Sequence, residues 1–129
     1  MELVLVILAA LSLAACDKAR GGSPADAYMS FSRAAQRGDA KAAYALLSSR
    51  TQQKLAARTK EISAASGTAI KDDPAALAFS GAPRPDPVNE VKVLNQAGDR
   101  ATLEVKAGGR AEQITMLKEK SGWKVDLGD

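Results

Sequence analysis

Few residues of this 129-residue chain carry side chains suited to covalent or acid–base chemistry, and their types close off several reaction classes at once. There is no histidine and a single cysteine, Cys16. A Cys/His catalytic pair and the common zinc sites both need an imidazole or several thiolates, so both are excluded. Asp72-Asp73 would need further oxygen ligands at regular spacing to hold calcium, and the Pro-Ala-Ala-Leu run after them supplies none. Asp73 fits a helix cap instead. Gly108-Gly109 has no Lys-Ser or Lys-Thr beside it, so it is a turn rather than a phosphate loop. No cofactor and no metal are expected.

Cys16 itself follows an apolar run from Leu3 to Leu13 and closes Leu13-Ala14-Ala15-Cys16. A spanning helix needs roughly 20 apolar residues, so this shorter run ending in small residues suits a cleavable signal better. Met1-Glu2-Leu3 departs from the usual pattern in carrying no Lys or Arg ahead of the run. The four residues resemble the lipobox of bacterial lipoproteins. That resemblance implies a diacylglycerol on the Cys16 thiol, cleavage before it and acylation of the new amino terminus. Each buried methylene is worth about 0.8 kcal/mol, so three long chains hold the protein at the membrane permanently. Asp17 resembles the residue that keeps some lipoproteins in the inner membrane, which slightly favours that location on the non-cytoplasmic face.

The remaining charges are unevenly spread. Residues 17–71 carry ten Lys or Arg against four acids, whereas residues 72–129 carry eight against ten. Arg33, Arg37, Arg50, Lys54 and Arg58 fall in the half nearest the expected anchor, where anionic headgroups would attract them by up to about 1 kcal/mol per close cation. Solvated helix faces explain the same residues without a membrane. Nucleic acid is not expected as a partner, because the chain has few aromatic side chains on which bases could stack.

Positioning these residues requires three successive elements. Residues 1–15 read as the signal and 16–23 as the lipidated cysteine and a short tether, which spans at most about 25 Å. Residues 24–129 form one domain. Ser23 with Pro24 starts a helix whose apolar face is Tyr28, Phe31, Ala34 and Ala35, stopping at Gly38. Asp39 caps a second helix with Ala43, Tyr44 and Leu47, ending near Ser48. Ser49 and Gln52 form a capping box for a third, buried through Leu55, Thr59 and Ile62 and ended by Gly67. Asp73-Pro74 starts a brief helical turn, and Pro83, Pro85 and Pro87 enforce an extended connection. From Val88 the apolar period becomes two, with turns at Gly98-Asp99, Gly108-Gly109 and Ser121-Gly122. Four strands so connected predict an α+β fold, with three N-terminal helices packed on a curved four-stranded antiparallel meander.

Three helices with Gly38-Asp39 at their first junction, then a sheet closing on Gly122-Trp123-Lys124-Val125, resemble the nuclear-transport-factor-like superfamily, which includes ketosteroid isomerase. The resemblance spans residues 24–127 and implies a cone-shaped, cystatin-like domain whose mouth takes a small molecule. Phe31, Tyr44, Leu103, Met116 and Trp123 are the residues expected to line it, although a lone tryptophan on a final strand is more often core. Isomerase chemistry would require a carboxylate base facing an oxyanion donor in an apolar pocket. Tyr28 and Tyr44 occupy core helical positions and Asp126 alternates outward between Val125 and Leu127, so none matches those roles. The expected function is a membrane-tethered, non-catalytic domain that binds another envelope protein or itself, with the outer sheet face at Thr102, Glu104 and Lys106 as the contact. A small hydrophobic-ligand binder is the alternative, and an enzyme with a carboxylate base the third possibility.

Overall fold

A computed structural model describes residues 22–67, 69–79 and 84–128. The signal, Cys16 and Asp17 lie outside them. Four helices come first, α1 (Pro24–Arg37), α2 (Ala40–Ala45), α3 (Ser49–Ala65) and α4 (Pro74–Phe79). Four strands follow, β1 (Val88–Ala97), β2 (Arg100–Ala107), β3 (Arg110–Glu119) and β4 (Gly122–Asp126). The sheet is antiparallel in the order β1-β2-β3-β4 and stays open, with helices over one face.

Local sequence explains most boundaries. Ser23 Oγ accepts the Asp26 N–H at 3.1 Å while the Asp26 carboxylate accepts the Ser23 N–H, a reciprocal cap with Pro24 inside it. Gly38, at φ 73°, ends α1 in the left-handed conformation that a side chain would disfavour. Asp39 Oδ1 then accepts the Ala42 N–H at 3.1 Å, and Asp73 Oδ1 does the same for Ala76 at the start of α4.

Two expected boundaries are corrected. The cap of α3 is Ser48, whose hydroxyl accepts the Thr51 N–H, so Ser49 is already helical and no box forms with Gln52. Gln52 is used otherwise: its amide donates to the Tyr44 carbonyl at 2.8 Å, and the Tyr44 hydroxyl donates to the Gln52 carbonyl at 3.0 Å. Helix α2 stops at Ala45 because the next residues join the sheet edge. Leu47 forms a parallel bridge with Val125, the Ser48 N–H donates to the Val125 carbonyl, and the Val125 N–H donates to the Leu46 carbonyl, both at 2.8 Å.

The period-two pattern places Ala101, Leu103 and Val105 of β2, Met116 of β3, and Trp123 and Val125 of β4 against the helices. With Ala27 and Leu47 they form the buried core. Thr102, Glu104 and Lys106 lie on the opposite face, as the alternation requires. Asp126 overturns the expectation that it points to solvent. It is 5% exposed while Leu127 is 53% exposed, because the start of α3 lies against the end of β4 and surrounds the carboxylate with polar groups.

Candidate functional site

The stripe Tyr28, Phe31, Ser32 and Ala35 repeats at i, i+3, i+4 and i+7, so one face of α1 looks at the sheet. Opposite it stand Val88 of β1, Val105 and Ala107 of β2, and Gly108 of the β2–β3 turn. Aromatic rings cluster around Phe31. The Tyr28 and Phe31 ring centroids are 5.9 Å apart, and Phe79 of α4 packs edge-on against Phe31 at 6.0 Å. Toward Ala35 the facing residues are alanine, serine and glycine, which are too small to meet. A hollow of about 630 Å³ remains.

Its remaining wall is the chain entering β1. Gln36 donates its side-chain amide to the Asp86 carbonyl at 3.2 Å, holding Pro85-Asp86 beside the C-terminal half of α1. The Asp86 side chain lies over the β2–β3 turn, where a Cβ on Gly108 would overlap its carboxylate. Gly108 and Gly109 both have positive φ, 57° and 76°, as a two-residue hairpin loop requires. Glycine at 108 thus serves the turn and the wall together.

Charged and apolar groups share the lining, and Glu112 and Arg110 stand in register with Val105 and Ala107. Asp86, Arg110 and Glu112 are exposed, whereas Tyr28, Phe31, Val88 and Val105 are half-buried or buried. Burial, reinforced by the Glu112 carboxylate, raises the Tyr28 phenol above its ordinary pKa and keeps it a neutral donor. A site built this way suits a molecule with an apolar body and a polar end. A larger depression of about 740 Å³ lies beside the β1–β2 and β3–β4 turns, but Ser49, Asp99, Lys118, Glu119, Lys120 and Ser121 give it no apolar floor.

Of the five residues expected to line a pocket, Phe31 borders this hollow. Leu103 and Met116 are 0% exposed and belong to the packed core, whereas Trp123, with the Lys118 ammonium 6.0 Å from its ring, joins that core and also borders a separate depression of about 350 Å³ beside Pro24 and Gln96. Tyr44 packs on the core from outside, held by its exchange with Gln52. Ser32, Ala107, Arg110 and Glu112 border the hollow as well. The available signal was a set of small residues on facing elements: Ser32 and Ala35 on α1, Ala107 and Gly108 on the hairpin.

Of the five basic residues, Arg50, Lys54 and Arg58 are spaced i, i+4 and i+8 along α3 and Arg33 and Arg37 lie on α1. Arg50 is bound to the Asp126 carboxylate, Lys54 donates to the Gly128 carbonyl at 3.2 Å, and Arg37 stands 3.8 Å from Asp39. Arg33 is exposed on α1, and Arg58 borders a crevice of about 240 Å³ with Leu55, Ile62 and Leu77. Arg37 lies about 20 Å along α1 from Ser23.

The most completely satisfied polar cluster surrounds Asp126. Arg50 donates through Nε to Oδ1 at 2.7 Å and through its second nitrogen to Oδ2, Ser48 Oγ donates to Oδ1 at 2.8 Å, and Thr51 Oγ1 lies 3.3 Å from Oδ1. The Arg50 bond, aided by Ser48 and Thr51 and opposed by burial, pulls the Asp126 pKa down to about 2. This carboxylate is locked in its ionised form and does not face the hollow, so it is a structural tie rather than a base.

Among the described residues no group of three or more His, Cys, Asp or Glu side chains could hold a metal ion, and no helix is long and apolar enough to cross a membrane. No family model, no curated protein and no solved structure matches this chain.

Proposed function

We propose that this protein is a lipid-tethered, non-catalytic binding domain of a bacterial envelope, anchored through Cys16, whose site is the hollow between α1 and the β2–β3 hairpin. The finer fold assignment, a cone of the nuclear-transport-factor-like kind, belongs to the same proposal. The observation that carries the binding role is the hollow itself: about 630 Å³, lined by Tyr28, Phe31, Val88 and Val105 together with the exposed Asp86, Arg110 and Glu112. That volume is within the range of small-molecule sites. An amphiphile would seat its chain on the aromatic floor and leave its polar end beside Arg110, Asp86 and Glu112.

A non-catalytic role is supported by where the carboxylates lie. An isomerase-type base must be desolvated and face the reacting atoms, whereas Asp86 and Glu112 are exposed and Asp126 is committed to Arg50. Calorimetric titration with decanoate and with decylammonium tests the proposal. Saturable binding of at least one, abolished by Ala107→Leu, is the expected result; equal binding by that variant would remove the hollow as the site.

Protein interaction has an observation of its own, on a different surface. Strand β1 lies at the edge of the sheet and is exposed along most of its length.

A further inference from the structure

The two edges of the sheet are treated differently by the fold. Beside β4 runs the segment Leu46-Leu47-Ser48, whose backbone exchanges hydrogen bonds with Val125. Beside β1 no strand is paired among the described residues, although β1 is ten residues long. Val93 and Leu94 on it are 40% and 43% exposed. Edges of this kind can recruit another strand, and charge and bulges, both present on β1, restrict which strand and which register can pair.

The charges on β1 have an order. Glu90 is paired in register with Lys106 of β2, its carboxylate 3.6 Å from the Lys106 ammonium, and Lys92 is in register with Glu104. The four side chains make a two-by-two checkerboard on the outer face. A two-fold axis normal to the sheet pairs β1 with a second β1 antiparallel, and facing residues must point to the same side, so they differ by an even number. Centring the axis on Glu90 or on Lys92 opposes like charges. Centring it on Val93 sets both charges against uncharged residues. Centring it on Val91 sets Glu90 opposite the partner's Lys92, twice.

We infer that β1 is a self-recognition edge, pairing antiparallel with β1 of a second copy about an axis through Val91. The checkerboard then continues across the junction as Lys106, Glu90, the partner's Lys92 and the partner's Glu104. Register shifts at Asn89 and Leu94 interrupt the strand on both sides, which confines the regular contact to the residues between them. So short a contact is weak in free solution. Two-dimensional confinement on a membrane raises the effective concentration and favours it. This inference rests on the proposed membrane anchor and is independent of what occupies the hollow.

Crosslinking of the full chain in membranes tests it. Val91→Cys places a thiol on the axis, and oxidation should give a covalent dimer of the chain; Gln113→Cys, on the exposed part of β3, serves as the control and should not. Glu90→Lys or Lys92→Glu, each added to Val91→Cys, opposes like charges and should lower the crosslinked fraction by about fivefold. Coexpressing the two reversed chains restores opposite charges at both positions and should recover most of the crosslink, which also shows that each variant is folded. The inference is overturned by a Val91→Cys dimer no stronger than the Gln113→Cys one, by indifference to charge reversal, by failure of the mixed chains to recover, or by a Val91→Cys crosslink to a different protein.

Discussion

Ser48, the residue that caps α3, donates its hydroxyl at 2.8 Å to the carboxylate of Asp126, 78 positions later on the last strand. One side chain therefore sets where a helix begins and fastens that helix to the sheet. Arg50 and Thr51, in the first turn of the same helix, complete the enclosure. The far end of the chain is tied to its helical half through this cluster.

Acid should loosen that tie. Asp126 has its folded pKa lowered to about 2 from an ordinary 3.8, so the unfolded chain binds the proton first. Its stabilisation is fully present above about pH 4 and is lost as pH falls toward 2, a contribution of about 2 kcal/mol. Denaturant unfolding at pH 7 and pH 2.5 or so should show this loss in the wild type, and Asp126→Asn should be less stable at pH 7 and flatter across the range. Equal acid sensitivity in the variant would assign the effect elsewhere.

Gly108 and Gly109 should differ although both have positive φ. Alanine at either position costs about 1 kcal/mol in backbone strain. At 108 the new methyl also meets Asp86, whereas at 109 nothing lies within 4 Å. Thermal unfolding should rank Gly108→Ala as the more destabilised by a further 1 kcal/mol or so, with Asp86→Ala relieving the excess. Equal losses would mean that the Pro85-Asp86 segment does not press on the turn.

Tyr44→Phe should cost about 1 kcal/mol, because it removes the hydroxyl that reaches the Gln52 carbonyl while leaving the ring on the core. Equilibrium unfolding measures this directly. A neutral result would separate α2 from the stability of α3.

Cys16→Ser should abolish incorporation of labelled palmitate and release the protein from membranes, since no other thiol is present in the chain. Labelling and retention that persist in the variant would contradict the anchor.

The strands were legible because their signal is local. Ala101, Leu103 and Val105 alternate with Thr102, Glu104 and Lys106, and glycine-bearing turns separate the runs. Asp126 was not, since the alternation that holds through Val125 cannot report a helix start brought beside it from Ser48 to Thr51. The choice between Ser48 and Ser49 as cap was likewise ambiguous by composition: Gln52 favours Ser49, and only the partnership with Asp126 and Val125 selects Ser48. The hollow was hidden for a different reason. Apolar periodicity locates side chains that fill space, whereas this site exists because Ser32, Ala35, Ala107 and Gly108 do not.

Methyl and aromatic NMR of the protein titrated with decanoate tests the binding proposal most directly. The account predicts saturable shifts at Tyr28, Val88, Val105, Ala35 and Ala107, with Trp123 and Met116 unmoved because they lie in the packed core, and loss of these shifts in Ala107→Leu. Shifts centred on Trp123 or Met116, or no saturable shift with decanoate or decylammonium, would contradict it.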